Sequence, residues 1–495
     1  MGIVLKQSFK NTLFIYLGFV FGGVNTLFLY TRFLEDEYYG LVTFLLSTSN
    51  LLMPIIALGI HHTIVKFFSS YLTKADKDRF LSSILFLPCL IAIPIAYFGN
   101  LFYDEIGTYL SKENPVIKDY TFVIYLIAVA TSYFEIFYAW AKVQYQSVFG
   151  NILKELWNRV VVMMLLFALY FDLISKPEFI YYLTGAYFLR MFVMMLYAFK
   201  LYMPKISFSR PDNFKDVLRF SGYIILAGSA GAIILDIDKF MIPGKESLVT
   251  AAYYAVAVFI GSFIEAPSRA MLNILQPLTS KTLNEENHVE VASLYKKSSL
   301  NLLLISGLFF VLINANIDQL FRLLPNEYAG GVLVVLMISL LKLYNGFLGN
   351  NGAIINNSKF YRITLPISLS MAFAVYFLNK LFYYEWDMGT NGLALATLIV
   401  IFTANTFKLF FVKLKFSMTP FTNKSLLLTF IIASLYFFFN SWDFLVDDIY
   451  LWDLPVHPVV NILLKSILIL VVYFFLIFKF HISPEFDRLL KRYYK

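Results

Sequence analysis

The sequence predicts an all-α polytopic membrane protein of about 14 transmembrane helices: two six-helix lobes in parallel pseudo-repeat, followed by two C-terminal helices. Three observations predict it: the composition, the length of the apolar runs, and the sidedness of the basic residues. Of 495 residues, 59% are hydrophobic and only 15% charged, whereas soluble proteins carry about 25% charged residues. Mean hydropathy is +0.70. A hydrocarbon core about 30 Å thick needs about 20 apolar residues per helix, and in lipid the backbone polar groups must be satisfied within the segment. A barrel would show alternating strands of about 10 residues. The runs here are continuous, so the spans are helical.

Apolar windows separated by charged or turn residues fall at 8–31, 39–65, 80–99, 118–141, 150–171, 178–200, 217–236, 248–275, 298–317, 329–351, 361–379, 388–412, 425–440 and 457–478. The thirteenth, "LLLTFIIASLYFFF", is the shortest. With the N-terminus inside, about 30 of the 40 Lys and Arg fall on cytoplasmic segments and eight on external ones. That asymmetry is the positive-inside pattern, and it places both termini in the cytoplasm. The loop "NSWDFLVDDIYLWDLPVH" carries four aspartates and no Lys or Arg, as an external loop should. The net charge of +8 is the expected excess on loops facing an anionic leaflet. It calls for no nucleic-acid partner. The N-terminal "MGIVLKQSFKN" runs into the first span without a cleavage pattern and reads as a retained helix, not a signal peptide.

A repeat organises the spans. "FKNTLFIYLGFV" from Phe9 parallels "FKDVLRFSGYII" from Phe214, and each leads to a charged lip. The lips are Arg32 in "YTRFLEDEYYGLVTF" and Asp236, Asp238 and Lys239 in "LDIDKF". The next helices start alike, "YGLVTF" at Tyr39 and "YAVAVF" at Tyr254, and Lys66 falls in register with Lys281. Six spans separate the copies, and an even number keeps their orientation parallel. The expected domains are residues 1–200 (spans one to six), a cytoplasmic linker at 201–216 with Pro204 and Pro211, residues 217–415 (spans seven to twelve), and 416–495, the last two spans with a basic cytoplasmic tail.

Two six-helix lobes with two trailing helices resemble the polysaccharide-exporter, or O-antigen flippase, branch of the multidrug/oligosaccharidyl-lipid/polysaccharide (MOP) superfamily, with a MATE-like fold. "RFLEDEYYGLVTFLLSTSNLLMPIIALGIHHTIVKFF" resembles that family's first loop and second helix. "LDIDKFMIPGKESLVTAAYYAV" resembles its seventh-to-eighth helix junction, and "MGTNGLALATLI" from Met388 resembles another of its helix starts. "LEDEYYG" departs from the family's usual "LG…EYG" by lacking the first glycine. The resemblance implies alternating access that carries a lipid-linked sugar across the bilayer.

An ionised side chain at the bilayer centre costs about 2.5–3.5 kcal/mol on insertion scales, so charges that persist there face a cavity, pair, or snorkel. Arg190 in "YYLTGAYFLRMFVMML" is ~18 Å into the sixth span at ~1.5 Å per residue, too deep to snorkel. It is the leading cavity candidate. Lys342 in "LMISLLKLYNGF" and Glu135 in "SYFEIFYAW" read equally well as cavity groups or structural pairs. Glu265 and Arg269 in "FIEAPSRAML" share a helix face and can pair, beside a turn loosened by Pro267. Where the cargo is a pyrophosphate, Arg269 is also an anion contact. Glu155 and Arg159 read as a structural pair near the inner surface, and Lys465 as a lysine that snorkels or, failing that, lines a groove with span fourteen. Arg32, Asp236, Asp238 and Lys239 are candidates for an outer gate, with one aspartate facing Arg32. The two aspartates point about 200° apart on a helix, so they cannot share one role. His61 and His62 are neighbours whose side chains leave the helix in different directions.

The sequence excludes several classes. It contains no cluster with metal-ligand spacing and no Gly-x-x-x-x-Gly-Lys loop for a nucleotide, so neither a metal nor a cofactor is expected. The lone Cys89 cannot form an intrachain disulfide. No extramembrane segment is long enough to hold an active site, and no catalytic residue is assigned. The expected function is translocation of a polyprenyl-diphosphate-linked oligosaccharide for surface polysaccharide (O-antigen, capsule or exopolysaccharide) assembly at a bacterial cytoplasmic (inner) membrane. Its expected partners are that lipid-linked oligosaccharide, membrane lipids, and assembly proteins such as the polymerase. The alternatives are a lipid II flippase, a drug/cation antiporter, or a membrane-embedded polymerase or glycosyltransferase.

Overall fold

The computed structural model describes residues 2–207, 209–444, 450–451 and 454–483. The basic tail at 484–495 and residues 445–449 and 452–453 of the aspartate-rich loop therefore lie outside the described residues. In chain order the long helices are α1 (Lys10–Phe33), α2 (Asp36–Ile56), α3 (Lys74–Leu101), α4 (Ile117–Val143), α5 (148–170), α6 (Lys176–Leu201), α7 (Phe214–Gly244), α8 (Leu248–Leu272), α9 (His288–Asn314), α10 (Glu327–Leu348), α11 (Tyr361–Glu385), α12 (Gly389–Phe416), α13 (Asn423–Asn440) and α14 (Val456–Lys479). All but α5 are long and apolar enough to cross a membrane. In α5 the charges Lys154, Glu155 and Arg159 lie together around a π-helical turn, Leu153–Trp157. The described strands are Tyr450–Leu451 and Leu454–Pro455, one antiparallel pair.

Three helices depart from the sequence expectation. The second span is interrupted: after Pro54 the backbone turns left-handed at Leu58 (φ 49°) and Gly59 (φ 62°), and a short helix, Ile60–Phe67, restarts the chain. The eighth span passes through a tight turn at Phe263–Glu265 beside Pro267 and then runs on to Asn284. The seventh continues past the charged "LDIDKF", so Asp236, Asp238 and Lys239 lie within its last turns instead of beyond its end. Helix starts carry their own signals. Ser175 and Glu178 form a reciprocal cap at α6, and Thr422 and Ser425 do so at α13. Each satisfies N–H groups that would otherwise be orphaned.

The chain forms two compact units. The first is Met1–Ala255 with Leu365–Asp387, and the second is Val256–Thr364 with Met388–Lys495. In the first, α4 is central, with α2, α6 and the short helix against it. Phe80, Phe134, Trp140 and Met194 are fully buried in its core. Lipid tails are as apolar as leucine, so helix association in a bilayer rests on packing and on interhelical hydrogen bonds averaging about 0.6 kcal/mol. Such bonds recur here. Ser49 Oγ donates to the Ile124 carbonyl (3.0 Å), Ser132 Oγ to that of Met53 (3.1 Å), and Trp157 Nε1 to that of Ala186 (3.1 Å). Gly150 lets α5 lie against the Tyr138 ring, which a Cβ would meet at 2.1 Å.

In the second unit α9 holds the central place, with α10, α13 and α14 packed on it. A Cβ on Gly307 would meet Ile432 at 2.2 Å, and the Tyr473 hydroxyl donates to the Leu304 carbonyl (2.7 Å). The two trailing helices are thereby fixed to the unit's core.

Candidate functional site

In the first unit, Arg190 projects from the middle of α6 and is only 5% exposed. The guanidinium lies 4.2 Å from the Phe134 ring centroid and 4.9 Å from that of Tyr187. Its Nε is buried and has no hydrogen-bond partner among the described residues. Ring faces attract a cation but accept no strong hydrogen bond, so the Nε donor stays unsatisfied among the described residues.

Around it stand further charges. Glu135 accepts from Lys154 Nζ at 2.6 Å, an ion pair that joins α4 to α5. Lys154 and Glu155 both lie in the π turn of α5, and Glu155 pairs with Arg159 at 3.3 Å. Lys142 lies over the Tyr138 ring at 3.8 Å. His61 and His62 follow the left-handed turn at Gly59, and their rings sit 4.2 Å apart. Adjacent positions were expected to diverge; at the first turn of a restarted helix both rings lean together. The His61 Nδ1 is buried without a hydrogen-bond partner among the described residues.

At the other end of the same unit, Asp236 and Asp238 turn to different partners, as their angular separation requires. Asp236 takes Lys239 Nζ at 2.7 Å and Asn50 Nδ2 at 3.2 Å. Asp238 takes the Tyr254 hydroxyl at 2.6 Å and Asn379 Nδ2 at 2.7 Å. Both aspartates are buried, whereas Arg32 is exposed. Nearby, Asn114 staples the connection after α7, donating to the Pro243 and Glu246 carbonyls (2.9 Å each) and accepting from Leu248 N–H (2.8 Å).

In the second unit, Lys342 of α10 forms a short ion pair with Glu265, and Arg269 lies half-buried one turn beyond Glu265. On α12, Lys408 Nζ donates to Asn405 Oδ1 (3.3 Å), and Asn405 Nδ2 donates to Asn345 Oδ1 (2.5 Å). Lys408 lies two turns before the C-terminal end of α12. Thr403, Asn405, Thr406 and Lys408 mark a polar stripe that would have revealed it. Lys465 does not snorkel. It is 3% exposed, with Nζ 2.7 Å from Asp443 and donating to the Ala315 carbonyl at 3.1 Å. Nine residues into α14, an amine finds a carboxylate within the unit more readily than it reaches the interface.

Two apolar grooves complete the picture. One of about 650 Å³ lies in the first unit among Leu51, Leu52, Ile55, Ile95, Tyr103 and Phe240. Another, of about 670 Å³, lies in the second unit among Leu340, Tyr344, Phe402, Phe421 and Leu426. Neither lining contains an ionisable carboxylate or amine, which suits both to hydrocarbon. No metal-holding group of His, Cys, Asp and Glu occurs among the described residues.

The structure is similar to a lipid II flippase, MurJ, in an inward closed conformation (TM-score 0.69, 13% identity, 96% of this chain and 99% of that one). It is similar to an inward-facing multidrug resistance MATE transporter of the MOP superfamily (TM-score 0.64, 13% identity, 83% and 98%). A MOP superfamily transporter from Pyrococcus furiosus also matches (TM-score 0.59, 12% identity, 84% and 95%). These likenesses establish the all-α membrane fold. No curated protein sequence matches the chain significantly. Residues 4–273, more than half of the 495, match the family model described as polysaccharide biosynthesis protein, and the chain belongs to that family.

Proposed function

We propose that the protein is a flippase that moves a polyprenyl-diphosphate-linked oligosaccharide across the cytoplasmic membrane by alternating access between two lobes. The observation that carries this reading is Arg190: a buried guanidinium on two aromatic faces, with no hydrogen-bond acceptor among the described residues. A diphosphate is costly to bury, and guanidinium groups offer it bidentate, charge-assisted hydrogen bonds. The apolar grooves would carry the isoprenoid chain while the head group crosses. Asp236, Asp238, Lys239 and Arg32 remain our candidates for an outer gate. Both termini lie in the cytoplasm on this reading, and the assembly machinery that consumes the flipped unit is the natural partner.

A lipid II flippase is the second reading, favoured by how far the likeness extends. It covers 96% of this chain for the lipid II flippase but 83% for the MATE transporter. The difference is about the size of a helix pair, as expected if the two trailing helices serve a lipid-borne cargo. A cation antiporter fits less well, because the carboxylates Glu135, Glu265, Asp236 and Asp238 already take donors from within their own units.

The test is gene deletion followed by sidedness analysis of lipid-linked oligosaccharides. Accumulation on the cytoplasmic leaflet, reproduced by Arg190→Ala at normal protein level, is the expected result. Unpolymerised units already on the outer face would point to a polymerase instead. Accumulation of the peptidoglycan precursor would favour the second reading.

A further inference from the structure

We propose that the second unit holds a head-group site of its own for a single-chain lipid phosphate, formed by Lys408, Asn405 and Asn345 beside the apolar groove of α9, α10, α12 and α13. The inference rests on the flippase reading for the identity of the lipid, an isoprenyl diphosphate, but not on Arg190.

The polarity of this row follows from its hydrogen bonds. A lysine ammonium can only donate, and Lys408 Nζ donates to Asn405 Oδ1 at 3.3 Å. That fixes the Asn405 amide, whose Nδ2 then donates to Asn345 Oδ1 at 2.5 Å. Both amide oxygens accept within the row. The groups left over are N–H donors, Lys408 Nζ at one end and Asn345 Nδ2 at the other, and neither has a further acceptor among the described residues. All three side chains are half-buried. One turn before Asn345 on α10, Lys342 holds Glu265 in an ion pair, so that carboxylate is already neutralised. A row that offers donors and a positive charge selects an anion, and charge-assisted hydrogen bonds to phosphate oxygens are the strong ones.

The groove stands on the same helices. Tyr344, next to Asn345, and Phe402 and Thr403, just before Asn405, belong to its lining, with Leu303 of α9 and Leu426 of α13. The Tyr344 and Phe402 rings lie 4.5 Å apart, and the Tyr344 hydroxyl meets Thr406 Oγ1 at 2.8 Å, one residue from Asn405. That hydrogen bond joins the apolar wall to the polar row. Asn345 lies in the last turn of α10 and Lys408 two turns before the end of α12, at the end of the spans, where a lipid head group meets its chain. On the positive-inside reading this is the cytoplasmic leaflet, from which cargo is loaded. One groove of about 670 Å³ beside one row of donors suits a lipid with a single chain and phosphate at its head. An isoprenyl diphosphate is such a lipid, whereas a bilayer phospholipid brings two chains.

The experiment uses the full-length protein in phosphatidylcholine nanodiscs and a farnesyl diphosphate analogue carrying a photoreactive diazirine in its chain. Crosslinked residues are mapped by mass spectrometry as the probe concentration rises. The expected result is labelling of the groove walls on α10, α12 and α13, competed by farnesyl diphosphate but not by farnesol at the same concentration. Lys408→Gln should raise the concentration for half-labelling about tenfold or more. Asn405→Asp, which hands Lys408 a carboxylate and strands no charge, should do the same. Arg190→Met should weaken a separate class of binding and leave groove labelling as it is. No labelling in the groove, or groove labelling that either second-unit variant leaves unchanged, overturns the inference. Loss of groove labelling in Arg190→Met also overturns it, by showing one site instead of two. Displacement of the probe when phosphatidylglycerol replaces part of the phosphatidylcholine assigns the row to a bilayer lipid and overturns it as well. An empty groove with Arg190-dependent binding intact leaves the flippase reading in place. If farnesyl diphosphate does not bind at all, both readings fall.

Discussion

Replacing Arg190 with methionine separates two meanings of a buried charge. Methionine keeps the unbranched stem and removes the guanidinium. The loss comprises contacts with two rings, at 4.2 and 4.9 Å, of which a desolvated cation–π contact is worth about 2 kcal/mol. The gain is relief of burying a cation at 5% exposure, an effective cost of several kcal/mol. The two oppose each other, so stability should change by no more than ~1 kcal/mol or should rise. Had Arg190 been one half of a buried ion pair, its removal would instead cost about 3–5 kcal/mol by stranding the partner. Cargo affinity behaves differently. One charged hydrogen bond is worth about 1.5–3 kcal/mol, and ~1.4 kcal/mol is tenfold, so farnesyl diphosphate should bind about 10- to 150-fold more weakly. Both quantities come from one preparation, by chemical denaturation and by binding to nanodisc-held protein. Unchanged affinity refutes the cargo role, and a stability loss above ~3 kcal/mol refutes the absence of a structural partner.

Three further outcomes follow from individual contacts. Glu265→Gln strands Lys342, and because the Glu265 side chain is 36% exposed the cost is discounted to about 1–2 kcal/mol; adding Lys342→Met should recover most of it in a double-mutant cycle. Gly40→Ala brings a Cβ to 1.8 Å from the Leu248 carbonyl oxygen, a backbone collision that lowers the melting temperature and the yield of folded protein; a wild-type melting curve would contradict it. Lys245, 2.5 Å away, holds the Asp387 carboxyl below the usual carboxylate range. That contribution is complete above the unfolded carboxylate pKa of about 3.9 and is lost as pH falls through the depressed folded value; Asp387→Asn should therefore flatten the acid limb of the stability profile below about pH 4.

Hydropathy revealed the helices because a span must be apolar along its length whatever it touches. The same reasoning explains where the expectation failed. Gly59 splits the second span at a backbone angle that hydropathy does not register, and the π turn in α5 hides among residues that read as an ordinary charged helix end. Arg190 was legible as an anomaly because depth alone made it costly. Lys408 was not, because counting back from a helix end cannot distinguish an interfacial lysine from one two turns inside. Partners were least legible of all. Lys154 and Glu135 are 19 residues apart, Lys342 and Glu265 are 77 apart, and Asn379 and Asp238 are 141 apart. Only helix packing creates those pairs. Asparagines at 50, 114, 345, 379 and 405 escaped notice for the same reason: a neutral amide inside an apolar run signals nothing until a carboxylate or carbonyl is set opposite it.

Charge in a membrane protein therefore sorts by what compensates it, not by its depth. Glu135, Glu265, Asp236 and Asp443 each meet a lysine across or along a helix. Breaking any one of these strands a charge, so they belong to the scaffold first. Arg190 makes no hydrogen bond among the described residues and rests on ring faces with Glu135 in electrostatic reach, and Lys408 donates to an amide. Removing either strands nothing. A group that costs solvation, and whose loss leaves no partner unsatisfied, has no stability reason to be there. Both such groups are cations, and on the proposed reading an anionic cargo supplies their compensation.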